Sequence, residues 1–238
     1  MRYILATLFV LISYQMKAQI NILNQAKESA GSLLKNDDNL NNFEIANGLK
    51  EALFQGSDKA ISSASLQNGF SGNKLIRILW PKEAKKMKSV LIKSGMRQQV
   101  IEFENNINRA AEIASESAKK ILIEAIRSIN IKNAVSILNG SDNAATEYLK
   151  GKCSAALYIN FQPIVNKSIK EVGLMKYWDS LINSYNKIPF TKSININLEE
   201  YIIKETVNGI FVLMAIEEEK IRNNPKYRET ELLKKIFN

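Results

Sequence analysis

RQQVIEFENNINRAAEIASESAKKILIEAIRSI, residues 97–129, repeats its small and apolar side chains at gaps of three and four. Phe103, Ile107, Ala110, Ala114, Ala118, Ile121, Ala125 and Ile129 form one stripe, the signature of an amphipathic α-helix. Ile113 and Ile123 fall on another side, so the spacing predicts a long helix packed on more than one face. The alanines at its middle admit a close neighbour. This is the pattern of a central strut in a helical bundle.

A second long helix is expected from Asn197, an N-cap followed by Glu199 and Glu200 in the first turn, to Asn223 ahead of Pro225. It carries GIFVLMAIEEEKIR, residues 209–222, where seven apolar residues run directly into three glutamates. Ile203, Ile210, Met214 and Ile221 lie along one side, and Glu217 falls in the same line. A carboxylate there costs several kcal/mol, about 3 or more, unless it is paired, protonated or hydrated. Arg109, Glu112, Glu116 and Lys120 stand at helical spacing on the first strut, so an internal seam with Arg109 bridging Glu112 and Glu217 is expected. Glu218 can pair with Arg222 four residues on. The candidate polar cluster is therefore Arg109, Glu112, Glu116, Glu217 and Arg222. Three roles stay open for Glu217: an ion pair that sets helix register, a pocket carboxylate, or an exposed side chain on a rotated helix.

Around these struts the chain reads as shorter helices. NFEIANGLKEALFQG, residues 42–56, stops at Gly56, and residues 57–69 restart on Ser57 as N-cap. FSGNKLIRILWP, residues 70–81, has extended character but no partner strand. Helices follow from Pro81, over 130–140, from an N-cap at Ser141 or Asp142, and over 174–186. Pro163 marks a kink or boundary, and a last helix begins at Thr230. The fold class is all-α: a compact multi-helix bundle with two long central helices, several short ones and little or no sheet.

The chain has 238 residues, 45% of them apolar, enough for one sizeable core. Met1 and Arg2, an apolar run from Tyr3 to Ser13, and small Ala18 have the layout of a secretory signal peptide cleaved before Gln19. The run is about 11 residues, against the roughly 20 that span a bilayer. The expected organisation is 1–18 signal peptide, 19–43 poorly structured segment, and 44–238 single helical domain. No transmembrane segment is expected after cleavage, and the location is periplasmic or secreted. Losing Arg2 and Lys17 lowers the net charge from +9 to +7. That balance favours an anionic envelope component as partner, with no nucleic acid expected in the periplasm.

The chain contains no histidine and one cysteine. Hydrolases with a His base, zinc sites with His ligands and di-iron bundles on Glu-x-x-His pairs are excluded. Cys153 makes no internal disulfide, lies too far from the cleavage point for a lipid anchor, and reads as a buried small hydrophobe. No Walker loop, dinucleotide fingerprint or Cys-x-x-Cys pair is present, so no catalytic set, cofactor or metal is assigned.

Several blocks in order, NRAAEIASESAKKIL (108–122), LNGSDNAATEYLK (138–150), FQPIV (161–165), YNKIPF (185–190) and MAIEEEKIRNNPKYRETELLKKIF (214–237), resemble a bacterial family called domain of unknown function 4197. The likeness runs from about residue 45 onward. It implies an exported, mostly helical protein of Gram-negative bacteria and brings no assigned catalytic residue. The leading functional expectation is a non-enzymatic envelope protein that binds its partner through a basic surface. The alternatives are a carboxylate-dependent hydrolase of a cell-wall polymer, using Glu217 with Glu112 or Glu116, and an anionic-lipid binder using Tyr177 and Trp178 on helix 174–186.

Overall fold

The computed structural model describes residues 40–238, apart from 129 and 133. The expected signal peptide and the segment up to residue 39 lie outside the described residues. A compact unit runs from Asn41 to Asn238, and all of its regular elements are helical among the described residues.

Helix α1 (Asn42–Ala64) opens on a capping box: the Asn41 side chain accepts from Glu44 N–H, and the Glu44 carboxylate accepts from Asn41 N–H. The helix does not stop at Gly56. It runs about two turns past it, to Ala64, and Gly56 is a contact point: a Cβ there would stand 3.6 Å from the Met214 carbonyl and the Glu217 Cβ. Ser57 accordingly caps nothing and donates back to the Phe54 carbonyl.

After α1 the chain turns at residues 65–76 and continues without helix to Pro81. Ile76, Ile78 and Trp80 point inward while Leu75, Arg77 and Leu79 face solvent. That is strand-like alternation without a strand partner, so the backbone groups must find side chains. Asn108 supplies them. Its Oδ1 accepts from Ile78 N–H at 2.8 Å and its Nδ2 donates to the Ile78 carbonyl at 3.1 Å. The Tyr201 hydroxyl donates to the Leu79 carbonyl at 2.9 Å.

A short 3-10 turn (Lys82–Ala84) leads into α2 (Lys85–Lys93), then α3 (Arg97–Glu116) and α4 (Ala118–Ser128). The single strut expected over 97–129 is thus two helices. The break falls at Ser117, two residues after buried Ser115, which donates its hydroxyl back to the Ala111 carbonyl, a bond that bends helices. Next come α5 (Ala134–Leu138), α6 (Ala144–Glu171), α7 (Leu174–Asn186), α8 (Leu198–Asn223), a 3-10 turn (Pro225–Tyr227) and α9 (Glu231–Ile236). Pro163 lies inside α6 without ending it.

Helix α8 occupies the centre, packed between α1 and α6, with α3 against α6, α7 and α8. Its apolar run explains this position, since Ile202, Ile203, Ile210, Phe211, Leu213, Met214 and Ile221 are buried around most of its circumference. Buried Gly209 lets the Phe70 ring lie on the helix backbone. Trp80, Phe103 and Trp178 join the non-helical segment, α3 and α7 in one aromatic cluster, with the Phe103 and Trp178 rings stacked 5.2 Å apart.

Candidate functional site

The expected seam is two separate carboxylate sites. Glu112 is one, with its side chain 3% exposed on α3. Its Oε1 accepts from the N–H groups of Phe70 and Ser71 at 3.3 and 3.4 Å, and its Oε2 accepts from Arg109 Nη1 at 3.2 Å. It fastens the turn at 68–73 onto α3. Arg109 is 46% exposed and borders a cleft of about 310 Å³ lined also by Gln67, Asn68, Ser71, Asn105 and Asn106.

The other buried carboxylate is Glu218, not Glu217. Its Oε1 accepts from Ala145 N–H at 2.9 Å, and its Oε2 accepts from Thr146 N–H and the Thr146 hydroxyl, each at 2.7 Å. Helix α6 begins at Ala144 after Asn143, whose side chain makes no cap. Neither Ser141 nor Asp142 serves as its cap; Glu218 does so from another helix, where the N-terminal dipole favours a carboxylate. Arg222 donates to Glu218 Oε1 at 2.8 Å through Nε, with Nη2 also 2.8 Å away. The same guanidinium donates to the Leu138 and Ile137 carbonyls at 2.6 and 3.1 Å, closing the end of α5. One ion pair, 3% and 7% exposed, thereby clamps the end of α5 and the start of α6 onto α8. Arg228 finishes α8 itself, donating to the Ile221 and Arg222 carbonyls at 3.0 and 2.8 Å.

Glu217 is corrected accordingly. It is half-buried beside Gly56 of α1 and pairs with Lys220 at 2.5 Å rather than with Arg109. Glu116 stands exposed at the end of α3 and joins no buried group. Of the five predicted cluster residues, only Arg109 and Glu112 meet each other; Arg222 meets Glu218. Among the residues lining the Arg109 cleft, Glu112 is the one carboxylate, whereas glycoside hydrolysis in its common form needs two, about 5 to 10 Å apart. Neither Glu116 nor Glu217 lines that cleft. Among the described residues, no three Cys, Asp or Glu side chains converge as metal ligands would.

Trp178, with Leu174, Leu181 and Tyr185, turns the apolar face of α7 into the core, so that face is not available to a lipid surface. Cys153 is half-buried, lining a shallow cleft with Tyr148 and Lys152, and burial pushes its thiol up. The Tyr201 phenol is pushed up to about 12 by burial, with Glu205 and Glu83 adding to the effect.

Positive charge is concentrated in one stretch of the chain. Residues 82–97 hold six lysines and arginines against one acid, Glu83. Lys82, Lys85, Lys86, Lys93 and Arg97 are exposed, while Lys88 reaches Glu104. Lys192 borders the same cleft as Lys86. The whole-chain average dilutes this concentration.

Residues 39–238 match the family model described as protein of unknown function (DUF4197). The chain belongs to that family. No curated protein and no solved structure matches it. Among the described residues of this DUF4197 chain, no helix is long and apolar enough to cross a membrane.

Proposed function

We propose that this DUF4197 chain is an exported, non-enzymatic binding module that meets an anionic component of the cell envelope through the cationic face at residues 82–97. The observation that carries the reading is the exposure of Lys82, Lys85, Lys86, Lys93 and Arg97 on one short stretch of α2 and its flanks. Screening at physiological ionic strength acts over about 8 Å, so neighbouring cations on two turns of helix attract a polyanion together. The buried carboxylates support a binding role over a catalytic one, because their oxygens are occupied by backbone N–H groups and guanidinium. The pattern of residues 1–18 supports export, with a mature chain beginning at Gln19 in the periplasmic or secreted fraction.

The test is recovery from envelope extract at low and moderate salt by the purified mature chain, alongside a Lys85→Gln, Lys86→Gln, Lys93→Gln triple variant. The reading expects a specific component that is held at low salt, released as salt rises, and lost with the triple variant. Recovery of nothing above background at either salt, or equal recovery by the variant, contradicts it.

A further inference from the structure

The Arg109 cleft is a different kind of surface from the cationic face, and we infer that it binds a neutral, polyhydroxylated ligand of the saccharide class. Its charges cancel, since Arg109 is answered by Glu112 within the same cleft. The remaining lining is amide and hydroxyl. A side-chain amide offers both a donor and an acceptor, which is the complement of vicinal hydroxyls that do the same.

Part of that capacity is not spent on the protein's own groups. Asn106 spends Nδ2 on the Glu102 carbonyl at 2.9 Å, leaving its carbonyl oxygen to accept. Asn68 Oδ1 takes the Ser71 hydroxyl at 3.0 Å, leaving its Nδ2 to donate. Arg109 spends Nη1 on Glu112 and keeps its other N–H donors. The walls are also held in place. Glu112 ties the turn to α3 through two backbone N–H groups, and Asn68 sits at φ 64°, a left-handed conformation that asparagine tolerates better than most residues.

A second cleft, of about 460 Å³, shares Gln67 and Asn68 with the first and adds Ser63, Asn73 and Lys74 beside exposed Leu66. Together they give a largely polar track around the turn, with Lys74 at its far end and Leu66 as an apolar spot, suited to more than one sugar ring. Peptide recognition in its common forms uses a sheet edge or an apolar groove, and this track has neither.

The test follows the side-chain amide resonances of the full mature chain while maltohexaose or an N-acetylglucosamine tetramer is added, with oligogalacturonate as the anionic comparator. The inference expects a neutral oligosaccharide to shift the Asn68, Asn105 and Asn106 amide signals, with a Kd near or below about 1 mM that is insensitive to salt. An Asn105→Ala, Asn106→Ala double variant, altered at positions that hold no part of the core, should bind about tenfold more weakly. The Lys85→Gln, Lys86→Gln, Lys93→Gln variant should bind the sugar normally, which separates this site from the cationic face. Absence of shifts with both neutral sugars, unchanged affinity in the asparagine variant, or a salt-sensitive preference for oligogalacturonate overturns it.

Discussion

Glu217 and Glu218 are adjacent, yet one is an edge residue and the other a keystone. On a helical wheel, Glu217 lies three residues after Met214 and Glu218 lies four after it, so both continue the same face. The contiguous apolar run before them makes α8 buried on most sides and removes the contrast that would tell them apart. What decides is the partner across the interface: the uncapped start of α6 faces Glu218, and only the folded chain brings it there. Asn108 is a similar case. It sits among buried apolar residues of α3, and nothing local reveals that it satisfies both backbone groups of Ile78. Asn108→Leu keeps the branched shape, with bulkier methyl ends, but strands those two groups, so urea unfolding should show a loss of about 3 kcal/mol. Tyr201→Phe removes the hydroxyl bonded to the Leu79 carbonyl at a cost of about 1 kcal/mol. Because burial pushes the Tyr201 phenol up to about 12, above the ordinary tyrosine range, the protein binds that proton more tightly folded than unfolded. Its contribution is therefore present below the ordinary tyrosine pKa near 10 and lost as pH rises toward 12. An alkaline phenolate titration of Tyr201→Phe should lack one step above the ordinary tyrosine range.

At the scale of elements, periodicity located the helices well and their ends less well. The capped starts of α8 at Asn197 and α9 at Thr230 were legible because the cap is local: Asn197 accepts from Glu200 N–H, and Thr230 accepts from Leu233 N–H. Gly56 misled because glycine serves both as a helix stop and as a place where helices touch. The two uses separate by mutation. Gly56→Ala meets only ordinary contacts at 3.6 Å and gains helix propensity, so it should be neutral or stabilising by up to about 1 kcal/mol. Gly209→Ala drives a methyl to 2.8 Å from the fully buried Phe70 ring and should cost about 1 to 3 kcal/mol. Paired thermal melts of the two variants check the opposite signs. The strut expected over 97–129 was legible as helix, but its division at Ser117 was not, since alanine spacing continues across the break.

Across the whole molecule, the ends of the described unit are tied together: Lys235 on α9 pairs with Glu44 in the first turn of α1 at 2.9 Å. The bonded Lys235 ammonium, with the Asn41 N–H, holds the Glu44 carboxyl below its ordinary range. A lowered folded value means that this tie adds stability above the unfolded carboxylate pKa and loses it as pH falls through the folded value. Hydrogen exchange should therefore find α9 loosening at acid pH before the rest of the bundle, and Glu44→Gln should blunt that response. The all-helical class was legible because helical periodicity recurs throughout the chain. The division of one expected polar seam into two sites was not, because it depends on which helix ends meet α8. That meeting is the central structural claim: Glu218 and Arg222 join α5, α6 and α8 through a dry ion pair. Urea unfolding of Glu218→Gln and Glu217→Gln in parallel tests it most directly. Glutamine at 218 turns an amide N–H toward groups that already donate and leaves Arg222 unneutralised, so a loss of about 3 kcal/mol is predicted. The same change at 217 gives up a half-exposed pair and should cost less than about 1 kcal/mol. Equal losses, or the larger loss at 217, would contradict the account.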